Sequence, residues 1–458
     1  MGSNKSRAND AKKNKQFDLN WLLANSDFSL VTSVHGFLSS TIIRCAARYL
    51  YGATRSMLFC FKAGKAREGS IVFFTSSNNQ FQALDPVAKL LDNACIVEMV
   101  NPFSKAAKVF FPLHRAYFKS IPDFIAFAWK YKKHTTFEKL VIKSRGDLLA
   151  LAPALESVAI NFLKASKPAA IVVANDTVVW CRAVLAAARS LGIPTVLLQH
   201  APVSNTVPPL EVDFAFLDGS DAATKYRNAG IDAQCTIYLS GGPRQDPFRH
   251  STKAKHQAAN TECHDNGVKV GVCVNMVDDL DQTNTLLQQI LTAPSISSVA
   301  LRCHPQDKRK KKFSQLAQSL NISYSPNNSE SPQEFINSVD LLIAGDSSML
   351  LDAVMSNTKA VKSELLGIDP DFLGLIDAGL VARVDGSANL EKCIESTKHW
   401  QGPALKPLQK YYCVAGTKHD GQSRQLVATE LSKLANNIPS DPATWIAREF
   451  PQQLHLKK

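Results

Sequence analysis

Residues 340–355 read Asp340-Leu-Leu-Ile-Ala-Gly345-Asp-Ser-Ser348-Met-Leu-Leu-Asp-Ala-Val-Met355. An apolar run stops at a glycine, two hydroxyl residues follow, and a second apolar stretch resumes. This order predicts a buried strand over 340–344, a tight turn, and a helix from about Ser348. Repeated strand–turn–helix units are the signature of a parallel α/β sheet, because each parallel strand needs a crossover. The same alternation extends in both directions. Strands are expected at 268–274, 298–303, 322–325 and 360–363, with helices at 281–291, 313–320 and 332–337. Upstream, strands are expected at 29–34, 70–75, 95–100, 169–174, 195–199, 214–217 and 236–240, with a helix over 177–191. Between the two series, residues 247–266 turn polar and lose all periodicity, as a linker would. The expected fold is therefore α/β, two Rossmann-like domains facing each other across a cleft, with ligands at the carboxyl ends of the strands.

Composition is compatible with this. The chain has 458 residues, 45% hydrophobic and 20% charged, enough for two sizeable cores. No uninterrupted apolar run approaches the roughly 18–20 residues that span a bilayer, and residues 1–16 form a lysine-rich polar start without a signal-peptide pattern. A cytoplasmic protein with a disordered basic tail is expected. The ten cysteines are single and scattered, with no Cys-x-x-Cys pair, which suggests reduced thiols. Cys263-His264 has no second pair at zinc spacing, so no metal is expected. Neither a Gly-x-Gly-x-x-Gly turn nor a Walker lysine loop is present, which argues against dinucleotide oxidoreductases and P-loop ATPases.

The net charge of +12 points to an anionic partner. Residues 104–146 carry ten Lys or Arg against Asp123 and Glu138, interleaved with nine aromatic residues. That pattern fits either an anionic inner-membrane surface or a basic helix pair whose aromatic face is core. No nucleic-acid partner is expected, since nothing resembles an RNP motif, a KH loop or a finger spacing.

Four places carry candidate chemistry. His304-Pro305 directly follows a predicted strand, so its imidazole should project into the cleft and donate to a phosphate oxygen. Gly345-Asp346-Ser347-Ser348 opens a helix, where free N–H groups and hydroxyls suit an anion, although Ser347 as a helix cap is the simpler account. Gln199-His200 ends another strand, and His200 can act as a general base near neutral pH. Asp176 in Val-Ala-Asn-Asp-Thr is the competing base, unless Asn175-Asp176 caps the next helix. The run Lys308–Lys312 reads as a solvated helix start, or as a source of positive potential near the histidine.

In order along the chain, Gln199-His200, Asp213, Tyr226-x-x-x-Gly230, Gly242-Pro243-Arg244-x-Asp246, His304-Pro305, Asp346-Ser347-Ser348 and Asp420-Gly421-Gln-Ser423-Arg424 resemble GT-B glycosyltransferases of bacterial surface-polysaccharide synthesis. The pattern is most similar to CDP-glycerol glycerophosphotransferases and capsule Kdo and sialyl transferases. It spans roughly 171–431, while the first 150 residues match no known pattern. Ala201 departs from the glycine that many relatives carry, and Leu217-Asp218-Gly219 matches the sialyltransferase acidic motif only in part. The resemblance implies an acceptor-binding domain over 17–246, a linker over 247–266, a nucleotide-donor domain over 267–436 and a tail over 437–458. It implies that His304, Pro305, Gly345, Asp346, Ser347, Ser348 and Arg424 bind a CMP- or CDP-linked donor, with His200 or Asp176 catalytic. No metal or further cofactor is implied. The acceptor would be a surface-polysaccharide or lipid-linked glycan, reached from the cytoplasm at the membrane periphery. A nucleotide-sugar 2-epimerase and an inactive GT-B scaffold in a polysaccharide assembly complex are the alternatives.

Overall fold

The computed structural model describes residues 42–99, 109–130, 136–204, 207–232, 234–250, 267–326, 329–367 and 371–436. The expected tails at 1–16 and 437–458, the strand at 29–34, most of the linker, and Cys263-His264 lie outside the described residues.

Two parallel sheets organise the chain. The first has the order β3-β2-β1-β4-β5-β6-β7, with β1 (Ile71–Thr75), β2 (Ala94–Glu98), β3 (Val109–Phe110), β4 (Ala170–Val173), β5 (Thr195–Leu198), β6 (Phe214–Leu217) and β7 (Thr236–Leu239). The second has the order β10-β9-β8-β11-β12-β13, with β8 (Val268–Val274), β9 (Ile296–Cys303), β10 (Ser323–Ser325), β11 (Leu341–Ala344), β12 (Lys359–Ser363) and β13 (Ala382–Val384). β1, β4, β5, β11 and β12 are buried along their whole length, as expected of strands covered by helices on both faces. Both sheets are doubly wound, with strand order reversing between β1 and β4 and between β8 and β11.

Seven helices matter below: α1 (Ile42–Met57), α2 (Leu113–Lys130), α3 (Thr136–Ser166), α4 (Ser220–Ala229), α5 (Met349–Met355), α6 (Leu405–Tyr411) and α7 (Ser423–Ala435). Residues 145–166 of α3 are long and apolar enough to cross a membrane by length and composition. Here Leu149, Leu151, Leu155 and Leu163 are buried in the core of the first domain. The long helix is the wall on which the first sheet packs.

One boundary differs from expectation. Val427, Ala428 and Leu431 of α7 pack with Ile71, Phe73, Val172 and Tyr238 of the first sheet, so this helix joins the first domain although it follows the second in sequence. A remote carboxylate receives its N-terminus. Asp246, after β7, accepts from Ser423 N (3.0 Å), Arg424 N (2.9 Å) and Tyr412 Oη (2.7 Å). Next to it, Arg249 holds Asp420 through two 2.8 Å contacts and donates to Met355 O at 3.1 Å. The Gly-Pro-Arg-x-Asp and Asp-Gly-x-Ser-Arg stretches thus form the joint at which the chain returns to its first domain.

Candidate active site

Four side chains line up along the carboxyl edge of the first sheet: Asp176 after β4, His200 after β5, Asp218 after β6 and Arg244 after β7. Asn175 and Asp176, alike in sequence, have different tasks. Asn175 Oδ1 accepts from Thr177 N (2.7 Å), Thr177 Oγ1 (2.7 Å) and Val178 N (3.0 Å), closing the turn that leads into the next helix. Asp176 is thereby free for another role. It is 2% exposed, Tyr226 Oη donates to its Oδ1 at 3.3 Å, and its Oδ2 has no partner. Burial is the main cause that raises its pKa to about 6.

His200 is partly buried, and burial pushes its pKa down to about 4, with Arg244 acting in the same direction against a hydrogen bond with the Ala174 backbone. The imidazole is therefore neutral at pH 7, the form a general base requires. Gln199 steadies this edge: its Oε1 accepts from Asp218 N at 2.9 Å and its Nε2 donates to Ala201 O at 2.9 Å. Asp218 is buried, and that burial raises its carboxyl well above the usual range despite the nearby Arg244.

In the second sheet, His304 N donates to Val274 O (2.9 Å), and His304 Nδ1 accepts from Gln306 N (3.2 Å). A neutral ring with Nδ1 accepting carries its proton on Nε2, which can donate to a ligand. Burial lowers the pKa of this imidazole too. Pro305 sets the turn that follows.

The His304 and Ser347 turns do not lie on adjacent strands. β8 lies between β9 and β11, so two strand spacings, about 10 Å, separate them. The gap is filled by the turn after β8, whose residues carry no local sequence signal. Asn275 Nδ2 donates to Asp346 O (3.2 Å), and Arg309 donates to Asn275 O (3.1 Å) and Asp278 O (2.7 Å). Arg309 also pairs with Asp307 at 2.8 Å, so this member of the 308–312 run braces the turn. Lys310–Lys312 begin the following helix.

Around Gly345–Ser348 the geometry is tight. A Cβ on Gly345 would meet Gly367 N at 2.6 Å, and Gly367 itself adopts φ +83° against the Asp346 side chain. Lys362 Nζ, buried, contacts Asp346 Oδ1 at 2.6 Å, so the Asp346 carboxylate serves a lysine in this state. Ser347 Oγ accepts from Met349 N at 3.2 Å in the turn before α5, whose N-cap is Ser348, exposed and without a side-chain capping bond. Gly345, Asp346, Ser347 and Lys362 line a small pocket with Phe372, Leu375 and Ile376. His304, Pro305, Ser348 and Arg424 are not among its lining residues. Arg424 stands at the start of α7, where its N–H meets Asp246.

Contacts across the cleft fix how the domains meet. Arg244 of the first domain donates from both terminal nitrogens to Asp352 of α5, at 2.9 and 3.3 Å. Lys225 of α4 reaches the pocket wall, donating to Leu373 O (3.1 Å) as well as to Val203 O (3.0 Å) and Asp221 Oδ2 (2.7 Å). Tyr411 Oη of α6 donates to Leu373 O (3.1 Å) and Gly374 O (2.7 Å). Both groups therefore hold one wall of the pocket from outside it.

Two parallel, doubly wound sheets with opposed carboxyl edges and a C-terminal helix returned to the first domain define the GT-B fold. Solved structures agree. A Listeria monocytogenes protein named for UDP-N-acetylglucosamine 2-epimerase matches with TM-score 0.52 and 10% identity, covering 82% of this chain and 99% of its own. The UDP-GlcNAc 2-epimerase of Neisseria meningitidis bound to UDP-GlcNAc matches with TM-score 0.51 and 12% identity, covering 80% of this chain and 100% of its own. The wall teichoic acid polymerase TagF matches with TM-score 0.46 and 10% identity over 86% of this chain and 98% of its own. At such identities the likeness shows the fold alone. No family model and no curated protein matches the chain.

Proposed function

We propose that the chain is a GT-B transferase that moves a sugar or alditol phosphate from a nucleotide-activated donor, CMP- or CDP-linked, to the hydroxyl of a surface-polysaccharide or lipid-linked glycan. The observation that supports this reading is the His304 turn at the carboxyl edge of the second sheet, where Gln306 N donates to Nδ1 and leaves Nε2 as the ring's donor. In this scheme His304 Nε2 and the Ser347 and Ser348 hydroxyls meet the donor phosphates over the β8 turn. They stabilise the leaving nucleotide by directed hydrogen bonds. Arg424 adds charge from the joint. His200, neutral and just after β5, removes the acceptor proton as the acceptor oxygen attacks. The donor bond breaks with its electron pair leaving on the nucleotide. Asp176, fully buried, acts behind His200.

A 2-epimerase is the second reading, favoured by two acidic groups of raised pKa, Asp176 and Asp218, along the same edge, and by the proteins whose fold it shares. Thermal-shift titration with CMP, CDP, UDP, GDP and ADP separates the readings, because a ligand of the native state raises the melting temperature. Stabilisation by a cytidine nucleotide that is lost in His304→Ala supports the transferase. Stabilisation by UDP alone, with UDP-GlcNAc converted in the absence of acceptor, replaces it by the epimerase. No response to any nucleotide points to a scaffold.

A further inference from the structure

We propose that the outer face of α1, the short turn that follows it, and the outer face of α2 together form a docking surface for an anionic lipid bilayer. The large apolar side chains left in solvent concentrate here: Phe61 is 96% exposed, Ile43 81%, Leu58 74% and Leu50 63%. Along α1 the exposed positions Ile43, Ala47, Leu50, Thr54 and Met57 recur in steps of four and three, one continuous stripe. The opposite face, Cys45, Tyr49 and Ser56, is buried. The helix is thus amphipathic twice over, and among the described residues the core covers one of its apolar faces. A second stripe on α2, Phe118, Ile121 and Ile125, is also exposed.

The two helices pack side by side, which joins the stripes. The Tyr49 ring stacks on Phe124 with centroids 4.3 Å apart, and Tyr49 Oη donates to Tyr117 O at 2.6 Å. A patch of this kind on a folded chain marks an interaction site.

Charge selects the occupant. Between Ile42 and Arg67 stand Arg44, Arg48, Arg55, Lys62, Lys65 and Arg67, with no Asp or Glu; of these, Arg48 is already held by Asp147 of α3 at 2.9 Å, and the others carry the excess. A second copy docking stripe to stripe would bring like charges together. Phospholipid headgroups would neutralise them, while the apolar side chains enter the headgroup–acyl boundary and the arginine stems extend along it. Of the basic aromatic segment at 104–146, α2 contributes its exposed stripe to this surface, and the side chains of 127–144 lie outside the described residues. The proposal stands apart from the donor site and does not rest on nucleotide transfer.

Flotation of the full chain with vesicles tests it, using phosphatidylcholine alone and phosphatidylcholine mixed with phosphatidylglycerol, at low and high salt. The chain should float with the anionic vesicles at low salt and be released as salt rises. The triple variant Leu50→Ser, Leu58→Ser, Phe61→Ser keeps every charge. Its vesicle partition should fall about tenfold or more, with an unchanged melting transition because all three side chains are exposed. Leu90→Ser, in the turn after the helix over 78–88 and outside this surface, should float as the wild type does. Wild-type flotation of the triple variant, or no binding to anionic vesicles at low salt, overturns the proposal. So does a dimer that the triple variant converts to monomer, since the stripe would then pair copies of the chain.

Discussion

Asp176→Asn should stabilise the protein at neutral pH, and the gain should vanish in acid. The carboxyl of Asp176 is buried, one oxygen has no partner, and its pKa rises from 3.8 to about 6 on folding. Folding therefore takes up a proton between these values. The stability linked to this group is fully present below pH 3.8 and is lost as pH rises through about 6. At about 1.4 kcal/mol per pKa unit the loss is about 3 kcal/mol. Asparagine keeps an acceptor for Tyr226 Oη and removes the charge. Its amide also places a donor where Oδ2 had no partner, a cost present at every pH, so the informative quantity is the difference between variant and wild type at two pH values. At pH 7.5 relative to pH 3.5, Asp176→Asn should gain about 3 kcal/mol over wild type, roughly 5–10 °C in melting temperature for a domain of this size. Differential scanning fluorimetry, checked by urea denaturation at both pH values, reads it. A pH-independent difference would refute the reasoning, because it would mean that no uncompensated charge is carried into that site.

Two further outcomes follow from the cleft. If His200 is the base, kcat/KM for transfer should climb with pH to a plateau above about 4, since the imidazole is active only after losing its proton. A break near 6 would transfer the role to Asp176. Arg244→Met should cost about 3 kcal/mol in urea denaturation by leaving the buried Asp352 carboxylate unpaired, and Arg244→Met with Asp352→Leu should recover most of that loss. A single-variant cost below about 1 kcal/mol would mean that the bridge contributes as little as a surface pair.

Local sequence carries most of the strands of both sheets, because a parallel strand covered on both faces must be a short run of apolar residues, and Phe214–Leu217 and Val268–Val274 are such runs. It also identifies the turns that end them, since Gly345, Pro305 and the polar residues beside them restrict the backbone locally. β3, with two residues, and β13, with three, are too short to leave a periodic signal and exist through pairing with β2 and β12. What sits next to what is decided elsewhere. The insertion of β8 between the His304 and Ser347 strands, the bridge from Arg244 to Asp352 across 108 residues, and the capping of α7 by Asp246 from 177 residues away depend on sheet order and domain docking. Asn175 and Asp176 show the same division within one dipeptide. Either could serve the backbone by composition, and only the packing of Tyr226 and the burial around β4 leaves one closing the turn and the other as a buried acid. Hydrophobic period and turn chemistry are properties of neighbours in sequence, so they are written in the chain, whereas a charge acquires its partner and its pKa only from groups that folding brings to it.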